Sequence, residues 1–204
     1  MSNISGFIQS PEKNGAVDIY ADGEYVMTLS EDTVIEAGLK IGMALDENVI
    51  LSIERSRMLT KSRAKAYNYL SYGDMSVKTM LTKLARAGIP DDIAQDTVDL
   101  LCEQGYLDDL RYATALASYL ANTKCYGPKR IAQELFAKGV GEYTDEAIMS
   151  LDTDFYKTVR VHVPKNFDFT DRRACARLYG QLARRGFDSD VINSVIKEAN
   201  FFDE

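Results

Sequence analysis

A short pattern that closes one helix and opens the next occurs three times in this chain. Leu84-Ala-Arg-Ala-Gly88-Ile89, Leu135-Phe-Ala-Lys-Gly139-Val140 and Leu182-Ala-Arg-Arg-Gly186-Phe187 all read Leu-x-x-x-Gly-apolar, at spacings of 51 and 47 residues. Glycine suits the fifth position because a helix ending in a left-handed cap needs φ > 0 just past its last turn, and the apolar residue that follows packs back on that turn. Each copy is followed by a new helix start: Pro90-Asp-Asp-Ile93, Asp145-Glu-Ala-Ile148 and Asp188-Ser-Asp-Val-Ile192. Tandem three-helix repeats are therefore expected. Units of this period pack mainly on their neighbours, so the array is expected to be elongated and curved.

Apolar spacing supports the helices. Val77, Met80, Leu81 and Leu84 form one stripe, Ala94, Thr97, Val98, Leu101 and Cys102 a second, and Ala113, Leu116, Ala117 and Leu120 a third. Pro90 suits a first helical turn, and Asp108-Asp109 supply a cap and a first-turn acid. The first fifty residues read differently. Ile4–Gln9, Ala16–Ala21 and Glu24–Leu29 are short runs rich in strand formers, and Asp22-Gly23 is a hairpin turn signal. Ser30 and Asp46 are expected to cap two helices, the first ended by Gly38. The fold class that results is mainly α, with tandem three-helix repeats preceded by a small β-rich domain. The expected boundaries are 1–50 for the β-rich domain and 51–107, 108–151 and 152–204 for the repeats.

Charge divides along the same line. The chain of 204 residues has a formal net charge of −7, but residues 1–54 hold ten acids against Lys13 and Lys40, leaving the remainder close to neutral. A generic DNA-coating protein is excluded, since phosphate binding needs net cationic charge. A hydrophobic content of 46% with only four prolines indicates a folded chain. No apolar run reaches the roughly 18 residues of a membrane span, and MSNISGFIQS has no leader pattern, so a cytoplasmic protein without membrane contacts is expected. Cys102, Cys125 and Cys175 fit neither a disulfide framework nor a zinc site and are expected to be small buried side chains.

No catalytic constellation is visible, so neither an enzyme nor a cofactor or metal is expected. His162 is the single imidazole, expected on a helix surface or at a domain junction. The best functional candidates are basic. Arg55, Arg57, Lys61, Arg63 and Lys65 form one cluster, and Arg172, Arg173, Arg177, Arg184 and Arg185 belong to a second. Arg173, Arg177 and Arg184 would share a helix face. Lys129 and Arg130 follow Gly127-Pro128 at a helix start, where cations oppose the helix dipole; that local disfavour points to contact with a partner.

Two segments resemble a known family. Gly105-Tyr106-Leu107-Asp108-Asp109-Leu110-Arg111-Tyr112-Ala113 is similar to the G-Y-L-[DN]-D-x-x-[FY]-A signature of the RecX regulators. Residues 124–140, from Lys124 through Gly127-Pro128 and Glu134-Leu135 to Gly139-Val140, resemble that family's K-x-[YG]-G-P-x-[RK]-I-x-x-E-L-x-x-K-G-[IV]. The stretches 64–76 and 179–187 look like openings of its first and third repeats, and residues 1–50 like the β extension of many Gram-positive members. Leu110 and Cys125 depart from the pattern, and residues 152–169 match no motif. The resemblance implies a modulator that binds RecA and its nucleoprotein filament and inhibits ATP hydrolysis, strand exchange and repressor cleavage, thereby modulating recombination and the SOS response. It also implies weak direct binding of single- or double-stranded DNA in some members, and a monomer is expected. Arg63, Lys65, Lys129, Arg130, Arg172, Arg173, Arg177, Arg184 and Arg185 are the candidate contacts with RecA or DNA. Gly88, Gly105, Tyr106, Leu107, Asp108, Asp109, Gly127, Pro128, Gly139 and Gly186 are the structural motif residues. The competing readings are a helical-repeat nucleic-acid-binding protein acting without RecA and an armadillo-like scaffold with an unrelated partner.

Overall fold

The computed structural model describes residues 2–12 and 14–201, the last four as backbone alone. Three antiparallel strands, β1 (Ile4–Gln9), β2 (Ala16–Ala21) and β3 (Glu24–Ser30), form one sheet in the order β1-β2-β3. Asp22 and Gly23 between β2 and β3 both have positive φ, as a twist-matched two-residue hairpin requires. The short helix α1 (Glu31–Glu36) follows, capped by Ser30, whose hydroxyl accepts from the Thr33 amide. The long helix α2 (Glu47–Leu70) starts at Asp46, whose carboxylate accepts from the Val49 amide. Ile4, Ile19, Leu29, Leu39 and Ile53 form the core that joins the sheet to α2.

The remaining helices are α3 (Val77–Arg86), α4 (Asp91–Glu103), α5 (Asp109–Asn122), α6 (Pro128–Lys138), α7 (Thr144–Met149), α8 (Phe155–Arg160), α9 (Arg172–Arg184) and α10 (Ser189–Phe201), with a 3-10 turn at Gly141–Tyr143. The thrice-repeated pattern ends α3, α6 and α9. Gly88, Gly139 and Gly186 have φ of 75°, 82° and 88°. In each copy the amide after the glycine donates to the pattern's leucine carbonyl: Ile89 to Leu84 at 3.1 Å, Val140 to Leu135 at 3.0 Å and Phe187 to Leu182 at 3.3 Å. This is the Schellman closure, and all six apolar side chains are buried. Gly105 repeats the device after α4, with Tyr106 donating to the Leu101 carbonyl at 2.9 Å.

The chain forms two compact units, one of Met1–Gly73 with Met80–Tyr106 and one of Asp74–Thr79 with Leu107–Glu204. In the first, α2 packs on α4, and Thr97 donates to the Ser62 hydroxyl at 2.8 Å inside the contact. In the second, Ala113, Ala117, Ile131, Leu135, Val140 and Ala147 make one core. Val159, Leu178, Leu182, Phe187, Ile192 and Val195 make another, joined by Phe167 and Phe169 from the stretch that matched no motif.

Asp108 caps α5 by accepting from the Arg111 amide at 2.9 Å. Asp109 does something its position alone did not announce: it accepts from the Val77 amide at 2.8 Å, capping the first turn of α3. Burial, first among the influences on it, raises its carboxyl above the ordinary range. Protonation is therefore easier in the folded state, and this group's contribution to stability falls as pH rises from the ordinary carboxyl value through the raised one. Asp109→Ala is expected to cost about 1 kcal/mol in urea denaturation, as a lost cap does. Asp109→Asn, which keeps an acceptor oxygen, should stay within about 0.5 kcal/mol of wild type at neutral pH. Equal losses in the two variants would assign the effect to charge instead.

The cysteines depart from expectation. Cys102 is exposed and Cys125 and Cys175 are half-buried, so none belongs to a core. Cys102 lies at the edge of its helical stripe, and Cys125 occupies a loop with φ 52°. Burial pushes the Cys175 thiol up, and that thiol donates to the Phe169 carbonyl at 3.2 Å.

Candidate functional site

The first turn of α6 meets the last turn of α9. A helix start leaves amides unpaired and a helix end leaves carbonyls unpaired; at this joint each set satisfies the other. The Gly127 amide donates to the Arg185 carbonyl at 2.9 Å, and the Lys129 amide to the Gly186 carbonyl at 3.0 Å. Pro128, between them, has no amide to satisfy and suits the first helical position. Such close approach requires both glycines. A Cβ on Gly127 would lie 2.5 Å from the Phe187 nitrogen, and one on Gly186 would overlap the Arg130 amide and lie 2.8 Å from its Cα. A related joint occurs at the other end of α6, where the Ser76 hydroxyl donates to the Lys138 carbonyl at 2.6 Å and Gly139 lies against Lys78.

The joint of α6 and α9 brings together bases far apart in sequence. A cleft of about 520 Å³ is lined by Tyr126, Arg130, Gln181, Arg184 and Arg185. Arg130 lies over the Tyr126 ring at 5.8 Å and donates to Glu134 at 2.6 Å, one helical turn away. Lys129 pairs with Asp188 at 2.8 Å, and that hydrogen bond raises its pKa. The unfavourable placement of two cations at a helix start is thus relieved by two carboxylates and by the α9 carbonyls. Arg184 and Arg185 sit at the α9 C-terminus, where the dipole favours them, and no ion pair occupies either among the described residues. Three guanidinium groups thus line one cleft, and Arg130 alone of the three is paired with a carboxylate among the described residues, a donor set of the kind that can bind phosphate or carboxylate oxygens.

The other candidates scatter. Arg172, Arg173 and Arg177 are exposed on α9, with Arg177 at 4.0 Å from Asp171, and none lines the cleft. Arg63 is engaged internally with Glu36, and its Nε is buried without a hydrogen-bond partner. Lys65 is half-buried on α2. Arg55 is held by Asp92 at 2.5 Å and by Asp96. Tyr106, a motif residue, is 54% exposed and meets the Tyr67 ring edge-on at 5.5 Å, whereas Leu107 beside it is buried.

His162 had no role read from sequence beyond its location. It lies in the turn after α8, and its Nε2 is 2.8 Å from the Cys125 carbonyl. With a carbonyl as acceptor, Nε2 carries the proton. The contact holds the positive-φ residue that precedes Tyr126, so His162 supports one wall of the cleft. No sequence signal joins residues 37 positions apart in this way. Among the described residues, no group of three His, Cys, Asp or Glu side chains could hold a metal ion, and no helix is long and apolar enough to cross a membrane.

A three-stranded N-terminal sheet followed by short helical modules, closed by glycine caps and joined helix end to helix start, defines a tandem three-helix-module protein. Residues 63–101 match the model of the first three-helix domain of RecX, and residues 108–148 that of the second. Two successive segments of the chain are thus similar to the two three-helix domains of RecX. It is 29% identical over 198 residues to the Regulatory protein RecX of Bacillus pumilus (strain SAFR-032), covering 93% of this chain and 75% of that one. It is 26% identical over 210 residues to the Regulatory protein RecX of Clostridioides difficile (strain 630), covering 100% and 99%. A crystal structure of a regulatory protein RecX superimposes with a TM-score of 0.83 at 26% identity, over 97% of this chain and 100% of the other. The relatives' names place the chain in a regulatory class.

Proposed function

We propose that this chain binds RecA and the RecA–DNA filament and inhibits the recombinase, ATPase and coprotease activities of RecA in the cytoplasm. In this reading the β-rich domain is 1–50 and the helical repeats are 51–107, 108–151 and 152–204. The observation that carries the site is the pair Arg184 and Arg185, without carboxylate partners among the described residues and beside Arg130 and Tyr126 in one cleft. Such a cleft suits an acidic protein surface or a phosphate backbone lying on it.

The test is RecA ATP hydrolysis on single-stranded DNA with increasing amounts of this chain. Inhibition is expected well below one molecule per RecA, because a filament-bound regulator acts on many subunits. No effect at molar excess would overturn the proposal. A second reading, direct nucleic-acid binding without RecA, is favoured by the Tyr126 ring, a stacking surface next to arginines. It predicts tight DNA binding by the chain alone.

A further inference from the structure

The basic run on α2 divides into two kinds of cation. Arg55 and Arg63 are neutralised by Asp92, Asp96 and Glu36. Arg57 and Lys61, one helical turn apart, make no ion pair among the described residues and face a second cleft of about 400 Å³ between α2 and the N-terminal sheet. Its other lining residues include Ser30, Thr33, Thr60 and Ala64, and none is acidic. The cleft joins the acid-rich segment 1–54, which holds ten acids against two bases, to the acid-free stretch of α2 that carries Arg57 and Lys61.

Donors converge here. The Ser30 and Thr33 hydroxyls lie 2.7 Å apart, and the Thr33 amide donates to the Ser30 oxygen at 3.2 Å. One hydroxyl hydrogen makes the bond between them, and the other is left to donate elsewhere. The Thr60 hydroxyl is already spent on the Ser56 carbonyl at 3.0 Å. A guanidinium fork and an ammonium from one face of α2, and one hydroxyl hydrogen from the start of α1, therefore line the same cleft. That suits a tetrahedral oxyanion with several acceptor oxygens better than a planar carboxylate. The cleft has the volume of a small-molecule site. The surrounding negative charge disfavours a polyanion, whose many phosphates would all feel it, more than a small ligand with one charged end.

We propose that this cleft binds the terminal phosphate of a small phosphorylated ligand such as a nucleotide. The proposal is independent of the RecA reading. Isothermal titration calorimetry of the full chain with pyrophosphate, adenosine 5′-monophosphate and adenosine tests it. Saturable one-site binding is expected for the first two and none for adenosine. Arg57→Gln and Lys61→Gln should each weaken binding at least tenfold with unchanged circular dichroism, both residues being exposed. Lys40→Gln, which removes a charge from the same domain outside the cleft, should leave the affinity unchanged. No saturation, or equal weakening by Lys40→Gln, would overturn the proposal. So would an oligonucleotide without terminal phosphates that binds as tightly as the monophosphate and loses that binding in Arg57→Gln, since the source would then be the polymer.

Discussion

Gly186→Ala is expected to destabilise the second compact unit by about 2–4 kcal/mol, whereas Gly88→Ala, the same change in the same motif, should cost only about 1 kcal/mol. Both residues have φ in the left-handed region, 88° and 75°, so both variants carry the strain of about 1–2 kcal/mol that an L side chain meets there. A partial offset of about 0.4–1 kcal/mol comes from the lower entropy of the unfolded chain. The difference lies in space. Nothing stands within 4 Å of a Cβ built on Gly88, while one on Gly186 runs into the Arg130 backbone. Backbone cannot swing aside as a long side chain can, so the α6–α9 joint must open, adding about 1–3 kcal/mol. The chain has no tryptophan, so circular dichroism in urea is the convenient measure of stability. With a slope near 2 kcal/mol/M, the Gly186 midpoint should fall by about 1–2 M. Hydrogen exchange locates the effect: the Gly127 and Lys129 amides, which donate across the joint, should lose protection in Gly186→Ala and keep it in Gly88→Ala. Equal losses in the two variants would mean that the motif glycine acts only through its own φ.

That contrast shows which part of the molecule is legible in the chain. Gly88, Gly139 and Gly186 are readable because a helix cap is local: the residue that needs positive φ and the apolar residue that closes the turn are neighbours in sequence. The strands are readable for the same reason, through short runs of strand formers on either side of the Asp22-Gly23 turn. What Gly186 meets is Arg130, and no local rule pairs them. Asp109 was read correctly as an acid at a helix start, yet the amide it accepts from belongs to Val77, at a different helix. The charge clusters failed in the same way. Five bases from Arg55 to Lys65 look alike in sequence, but Asp92, Asp96 and Glu36 neutralise two of them from other elements, which only the tertiary fold reveals. The cysteines differ from expectation because apolar character does not by itself bring burial: Cys102 is exposed, and Cys125 and Cys175 are half-buried.

Arg184→Glu combined with Arg185→Glu is expected to abolish inhibition of RecA, with a loss of at least about tenfold in effective concentration. One charge-assisted contact is worth about 1.5–3 kcal/mol, and reversal replaces attraction with repulsion at two positions. The fold should survive, because both side chains are exposed and neither carries an internal ion pair among the described residues. The negative charges do sit at the C-terminus of α9, where the dipole disfavours them by about 0.3–1 kcal/mol each. Arg184→Gln with Arg185→Gln avoids most of that cost and should still lose inhibition. Whether RecA or phosphate is the primary partner follows from the single variant Arg184→Ala. A phosphate contact would lower the salt dependence of DNA binding by about one unit of slope, alike on unrelated sequences. A contact with RecA would leave that slope unchanged and reduce inhibition at fixed DNA affinity. Charge-reversed protein that still inhibits RecA at the wild-type concentration would remove the cleft from the interface, leaving the exposed Arg172, Arg173 and Arg177 on the same helix as the next surface to vary.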